Sequence, residues 1–279
     1  MRYVKCTPSH LSDLYKAFRA GFADYIVKLD VPYEVFAEYF FRPAWNQLEH
    51  SYLAYDGQEP VGMILGGISD YEGLPTMRCG GLCAHPDYRR QGVGYELWQR
   101  HRQEAIDNGC KQLFLEVIVG NEPAINFYRK LGYEKVYDLR YFSHTCAEKL
   151  TTNHKKEIRL EPISPAQIRA VANPETHINW QNTLEYIACF DVHYYGVVWE
   201  GHLLAYLCIG KTGKIYQLWV RPGYRLQGIA SALLAHAITH LQLSQLSAST
   251  PNIASLEGFL RKKGFTQDSL SQYEMYLLL

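Results

Sequence analysis

With 28 lysines and arginines set against 28 aspartates and glutamates, this chain of 279 residues has no charge surplus with which to hold a nucleic acid or an anionic membrane. Its 47% hydrophobic and 20% charged residues exclude disorder and supply core for two domains of ordinary size. No run of roughly 18–20 apolar residues is present to span a bilayer, and MRYVKCTPSH lacks the apolar core of a signal peptide. Seven scattered cysteines without a CxxC pair argue against a disulfide frame or zinc site and suit a reducing cytoplasm. His236 and His240 stand four apart on a predicted helix, but no acidic third ligand lies near, and no metal centre is expected.

In chain order, YVKCTPSHLSDL opens with a predicted strand running into a helix. FADYIVKLDVPYEVFAEYFFRPAWNQ follows, rich in aromatic residues. YLAYDGQEPVGMILGG is an apolar segment with a turn, and predicts a β-hairpin around Asp56–Gly57. The apolar run Leu82–Ala84 then meets HPDYRRQGVG, from which a helical pattern, YELWQRHRQEAIDNG, departs. Leu113–Val119 reads as a buried strand, and AINFYRKLGY as a short helix closed by Gly132.

After a polar stretch from about Thr145 to Lys156, the same order begins again. IRLEPISPAQIRAV matches the opening segment, and YGVVWEGHLLAYLCIG matches the hairpin with its turn at Glu200–Gly201. RPGYRLQGIA, starting at Arg221, matches HPDYRRQGVG, starting at His85, at a spacing of 221 − 85 = 136 residues. GFLRKKGFTQD matches NFYRKLGYEKV. The chain therefore reads as two copies of one domain, 1–148 and 156–279. Each is α/β (α+β), with a mixed, mostly antiparallel sheet flanked by helices. The closing run QYEMYLLL alternates too little for a solvated edge strand and is expected to be buried, in the second sheet or against the first domain.

The segment Arg-x-Gln-Gly-x-Gly between a strand and a helix has a physical use. The first turn of a helix leaves backbone N–H groups without intrahelical partners, and their partial positive charge favours an anion. Gly92 and Gly94 let a phosphate approach the backbone, while Arg89 and Arg90 add charge at the rim. The pattern lacks the third glycine of a dinucleotide-binding turn and the Gly-Lys-Ser/Thr of a P-loop. A tight turn with solvated arginines is the plain alternative, and its recurrence with matched flanks weighs against that.

Arg89-Arg90-Gln91-Gly92-Val93-Gly94 and Arg225-Leu226-Gln227-Gly228-Ile229-Ala230 resemble the Gln/Arg-x-x-Gly-x-Gly/Ala motif of the GNAT family of N-acetyltransferases, and the resemblance extends over nearly all of both halves. It implies that Arg89 to Gly94, with Tyr95, hold the pyrophosphate of coenzyme A. It further implies that the backbone of Leu82, Cys83 and Ala84 pairs with the pantetheine arm. Gly80–Gly81 either mark the bulge that opens the sheet there or relieve crowding in a core strand.

LFLEVIV…NEPAINFYRKLGY is similar to the family's Leu-Glu-Val…Asn…Ala…Tyr…Leu-Gly segment, above all to that of acetyltransferases acting on the N-terminal alanine of a ribosomal protein. Carried over, Glu116 is the general base, Tyr128 the general acid that also contacts the cofactor, and Asn121 a coenzyme contact. Independently, an acid buried without a partner inside an apolar strand is costly, so Glu116 should face a polar cleft or have a shifted pKa. An amine must also lose a proton before attacking a thioester, whose departing thiolate then needs one. Water in place of Glu116, and simple packing of Tyr128, remain open. In copy two Ser247 stands five residues before Asn252, and Leu260 stands at the tyrosine position, so the catalytic pair is absent.

The resemblance thus implies an acetyl-CoA-dependent, metal-free N-acetyltransferase working in its first half on a small-molecule amine, cytoplasmic, with a degenerate second domain. A protein N-terminal or lysine acetyltransferase and a non-catalytic acyl-CoA-binding protein are the other two readings. Phe22, Tyr25, Tyr33, Phe36, Tyr39, Phe40, Phe41 and Trp45 either line an aromatic acceptor pocket or pack as core.

Overall fold

Leu14, Ala17, Phe18 and Gly21 recur at helical spacing in Leu11–Gly21, so this helix (α1) buries one face and wets the other. The alternation of the strands and the Gly turns between them complete the pattern in a computed structural model describing residues 1–41, 46–151, 158–171 and 176–279. Trp45, the Tyr39 side chain, and the stretch from Thr152 through Lys156, where the second domain was expected to start, lie outside the described residues.

The chain divides into two compact units, Met1–Val136 with Tyr273–Leu279, and Tyr137–Gln272. In the first, β1 (Arg2–Lys5), α1 and α2 (Tyr33–Tyr39) precede the meander β2 (Gln47–Asp56), β3 (Glu59–Tyr71) and β4 (Leu74–Ala84). Then come α3 (Val93–Asp107), β5 (Gln112–Ile118), α4 (Glu122–Lys130) and the start of β6 (Glu134–His144). The meander is antiparallel, with two-residue turns at Gly57–Gln58 and Glu72–Gly73. The crossover through α3 makes β4 and β5 parallel, Thr76–Cys79 pairing with Gln112–Leu115. The sheet runs β1-β2-β3-β4-β5 and continues into Tyr273–Leu278 of β12 (Thr266–Leu278). Met275 is fully buried with Leu113 and Leu115, and the Leu279 amide donates to the Lys111 carbonyl at 2.9 Å.

Two apolar layers sandwich this sheet. Ile64, Met77, Cys79, Leu113, Leu115 and Val117 face α3 and α4. Leu53, Met63, Leu65 and Cys83 face α1 and α2, where Phe18, Phe22, Phe36, Phe40 and Phe41 pack ring on ring. Of the early aromatics among the described residues, Phe22, Phe36, Phe40 and Phe41 are therefore core; Tyr33, 39% exposed, is not.

The second unit repeats the plan: β7 (Glu161–Pro162), α5 (Pro165–Arg169), α6 (Leu184–Ile187), β8 (Val192–Trp199), β9 (His202–Gly210), β10 (Lys214–Val220), α7 (Ile229–Leu241), β11 (Leu246–Pro251) and α8 (Ala254–Lys262). Its strand order is β7-β8-β9-β10-β11-β6, so the strand beyond β11 is β6, from the first repeat. Phe142 of β6 and Ala147 just after it are fully buried in this unit's core. Arg140 pairs with Glu257 of α8 at 2.9 Å, and Ser143 Oγ donates to Asp268 at 2.7 Å. Each compact unit thus takes one strand from the other sequence repeat. The assignment of 1–148 and 156–279 as domains describes the repeat; the compact units are cut elsewhere.

Candidate active site

Three things meet at the end of β4: a bulge, a gap and a helix start. Leu65 pairs with Gly81 but Gly66 with Cys79, so Gly80 is the extra residue of a β-bulge. The β4–β5 pairing ends at Cys79/Leu115. Beyond it the strands part, with Leu82–Ala84 on one side and Glu116–Ile118 on the other. Leu82 and Ala84 face the α3 layer, while the Cys83 thiol turns to the Ala17 carbonyl. Their backbone, rather than their side chains, borders the gap.

The turn follows. Arg90 (φ +60°) and Gly92 (φ +85°) adopt left-handed conformations, and Gly92 caps α3 with no side-chain hydrogen bond. The first α3 amide with a partner on Gly92 is that of Glu96, so the amides before it lie open to an anion. A Cβ on Gly92 would meet nothing within 4 Å. This open cradle at a helix N-terminus fits a pyrophosphate. Arg90 is exposed at its rim. Arg89 is committed elsewhere: its guanidinium grips Asp24 at 2.6 Å and donates to the Gly21 and Ala84 carbonyls. Those bonds hold the Asp24 carboxyl below its usual range. Gln91 Nε2 donates to the Asp87 carbonyl at 2.6 Å. Arg89 and Gln91 therefore shape the turn. Val93 is buried against Gly62, and Tyr95 lies exposed on the first helical turn.

Glu116 interrupts an apolar strand, and the structure gives it a partner. Arg78 Nη2 donates to Glu116 Oε2 at 2.8 Å, with the Glu116 side chain only 2% exposed. Arg78 lies between Met77 and Cys79, and Glu116 between Leu115 and Val117, all four of which face α3 and α4. By alternation the pair faces the α1/α2 side. Asn46 joins it there. This buried amide donates to the Phe40 carbonyl at 2.8 Å. Its Oδ1 lies 1.7 Å from where a Gly80 Cβ would be, and Arg78 Nη1 lies 3.0 Å from the same point. Arg78 and Asn46 were missed from sequence. For Arg78 the signal was present: a lone cation in an apolar strand, two residues before a Gly pair.

Tyr128 lies on the opposite face. It is buried among Cys79, Phe127 and Tyr133, and its phenol lies beside the Cys79 thiol. Burial pushes the phenol well above its usual value, with Cys79 and Tyr133 adding to the effect. Burial likewise pushes the Cys79 thiol up to about 11. Asn121 caps α4, its Oδ1 accepting from the Ala124 amide at 3.3 Å, and lies near the Tyr25 phenol. Burial raises the Tyr25 phenol, and the nearby Asn121 amide opposes it. The structure thus gathers Glu116 and Arg78 on one side of the gap and Tyr128 on the other, with the turn at its end.

The second unit keeps the turn and loses the pair. Leu226 (φ +61°) and Gly228 (φ +86°) repeat the backbone, and Arg225 Nε donates to Val220 as Arg89 does to Ala84. A bulge recurs at Tyr216, between the Ile215/Ile209 and Gln217/Cys208 pairs. The Phe265 amide bonds the Leu260 carbonyl as Tyr133 bonds Tyr128, which confirms Leu260 at the tyrosine position. The strand register corrects one correspondence. Lys214 pairs with Ser247 and Ile215 with Ala248, as Arg78 and Cys79 pair with Phe114 and Leu115. Ser249, not Ser247, therefore occupies the place of Glu116. Counting back from Asn252 fails because the strand-to-Asn interval is 252 − 249 = 3 residues, against 121 − 116 = 5 in the first copy. Among the described residues no group of three His, Cys, Asp or Glu is placed to hold a metal. No helix there is long and apolar enough to cross a membrane.

A sheet split beside a bulge, closed by a Gly turn at a helix start, defines an acyl-CoA-handling N-acetyltransferase fold. The Acetyltransferase (GNAT) family signature matches residues 12–133 and again 162–265. The chain belongs to that family, as a tandem member. It is 33% identical over 133 residues to an N-alpha-acetyltransferase of Sulfurisphaera tokodaii, covering 43% of this chain and 78% of that protein. It is 29% identical over 117 residues to N-alpha-acetyltransferase 30 of Dictyostelium discoideum, covering 42% of this chain and 62% of that one. In fold it resembles a tandem GNAT protein from the clavulanic acid biosynthesis pathway, with a TM-score of 0.68 at 15% identity over 99% of this chain and 98% of that one. A GCN5-related N-acetyltransferase from Sphaerobacter thermophilus is similar at TM-score 0.69 and 12% identity, over 99% and 95%.

Proposed function

We propose that the first unit transfers an acetyl group from acetyl-CoA to the primary amine of a small molecule, and that the second unit performs no chemistry. One observation carries the reading: a buried carboxylate and a buried phenol flank the strand gap from opposite faces of the sheet. The turn from Arg90 to Tyr95 would hold the pyrophosphate, and the backbone of Leu82–Ala84 the pantetheine arm. The acceptor arrives as an ammonium ion. Glu116, directly or through water, takes one proton, and the freed nitrogen attacks the thioester carbon. As the tetrahedral adduct collapses, the C–S bond breaks, the sulfur takes the Tyr128 proton, and the nitrogen sheds its second proton, which restores the phenol. One proton is released overall. A phenol raised by burial is a weak acid, but a thiolate leaving into the same surroundings is a correspondingly strong base, as the raised Cys79 thiol illustrates. Copy two, with Ser249 and Leu260 at these places, has neither group.

Kinship with N-alpha-acetyltransferases favours a second reading, in which the amine is a polypeptide N-terminus. A panel of amino acids, amino sugars, polyamines and short peptides, assayed by thiol release, separates the two. Tyr128→Phe should lower kcat by roughly 10²–10⁴-fold and leave acetyl-CoA affinity nearly unchanged. Full activity in that variant would remove Tyr128 from the mechanism. The reading is of a cytoplasmic enzyme.

A further inference from the structure

The amide of Asn46 has a use that the acid–base pair does not explain. The residue is only 2% exposed. Its nitrogen donates to the Phe40 carbonyl, which fixes which end of the amide faces the bulge. The end so presented is Oδ1, and among the described residues it accepts no hydrogen bond. Folded proteins rarely leave a buried carbonyl unsatisfied, and leaving one costs stability. This one lies over Gly80, the bulged residue at which the gap begins. The Arg78 guanidinium reaches the same point and carries Glu116 on its other arm. The orphaned acceptor therefore lies beside the Arg78–Glu116 pair, at the point where the gap begins.

We propose that Asn46 is a positioning residue for the acceptor, with Oδ1 taking an N–H of the attacking nitrogen. The role rests on the acetyltransferase reading above. A primary ammonium group has three N–H bonds. One proton goes to Glu116, a second N–H is held by Asn46, and the lone pair left by the first is aimed at the thioester carbon. A hydroxyl or thiol acceptor has a single hydrogen. It cannot serve Glu116 and Asn46 together, and would leave the Asn46 carbonyl buried and unpaired. A site built to receive a hydrogen bond rejects partners that cannot make it. Asn46 thereby favours nitrogen over oxygen and sulfur nucleophiles, and it requires glycine at position 80, since any Cβ there would collide with its oxygen.

The test uses the full chain and the best amine from the panel. Asn46→Leu keeps the branched shape and removes the amide; Asn46→Ser leaves a hydroxyl too short to replace it. Both should raise acceptor KM and lower acceptor kcat/KM by roughly 10–100-fold. Acetyl-CoA affinity should be unchanged, and the melting temperature of Asn46→Leu should stay near that of the wild type, because removal of the unsatisfied carbonyl offsets the lost hydrogen bond to Phe40. A folded Asn46→Leu with wild-type acceptor kcat/KM would overturn the proposal. So would a loss of activity that merely follows a fall in melting temperature or in acetyl-CoA affinity. In either case the acetyltransferase reading would stand. If the wild-type protein acetylates no amine, both fall together.

Discussion

His101 and Glu104 lie one turn apart on α3 and titrate in the same direction. Burial pushes His101 down to about 3; the Glu104 charge opposes this and His50 adds to it. Neither ring nitrogen finds a partner among the described residues. Burial alone would raise the Glu104 carboxyl, but hydrogen bonds from Lys5, Tyr52 and His50 outweigh it and bring it to about 2. In both cases the unfolded chain binds the proton more readily, so acid favours unfolding. From the ordinary histidine value near 6.5 downward, His101 alone should cost about 1.4 kcal/mol per pH unit. Below about pH 4.5 the Glu104 contribution is lost as well. Denaturant titrations between pH 7 and 5 should show this slope, and His101→Leu should flatten it; an unchanged slope would locate the sensitivity elsewhere. Nothing in the sequence marks His101, which sits in a polar-looking helical run. Glu116 and Tyr128 were legible because each breaks a pattern or fits a motif. Asn46 was not, because its importance depends on a bulge formed by residues far along the chain.

At the scale of elements, the turn is the part most fully written in the sequence. Two glycines, a strand before and a helix after leave little choice of backbone, and the φ angles of Arg90/Gly92 and Leu226/Gly228 agree within a degree. The first bulge was foreshadowed by Gly80–Gly81; the second falls on Tyr216, where no glycine announces it. The guanidinium of Arg89 was expected at the rim and instead ties the turn to α1, a contact that no local pattern encodes. Gly92→Glu would place a side chain where φ is +85° and a negative charge among the free α3 amides. Acetyl-CoA affinity measured by calorimetry should fall roughly 10–100-fold, one to two times the 1.4 kcal/mol that a decade represents. The matching Gly228→Glu should leave turnover intact. Equal affinity in Gly92→Glu and wild type would remove the turn from coenzyme binding.

The whole molecule departs from the repeat in one respect. Sequence similarity divides the chain into two copies, whereas compactness assigns Tyr137–His144 to the second unit and Tyr273–Leu279 to the first. Periodicity marks both strands but cannot say whose sheet they join, because every copy has the same apolar edge to offer. A chain ending at Lys149 would retain each proposed catalytic residue and lose the strand beside β5, uncovering the edge against which Met275 and Leu277 pack. It should aggregate when followed by light scattering. A version with residues 273–279 grafted after Val136 should be more soluble. A truncated chain that stays monomeric, with wild-type acetyl-CoA affinity, would show that the exchanged strand is dispensable. Met275→Ala, a cavity in the first unit made from the far end of the numbering, should cost about 2–5 kcal/mol.

The exchanged strands also set a timetable. A domain at the start of a chain ordinarily folds while the rest is still being made. Here Met1–Val136 emerges with one side of its sheet uncovered and must wait for Tyr273–Leu279. At synthesis rates of about 5–20 residues per second the interval is on the order of ten seconds. Throughout it, Leu113 and Leu115 lack the strand that will cover them, while β6 has left for a sheet not yet built. The proposed site belongs to the earlier-made unit, yet that unit is completed by residues from the later one, so a ribosome that stalls anywhere in the second repeat leaves the first unit unfinished.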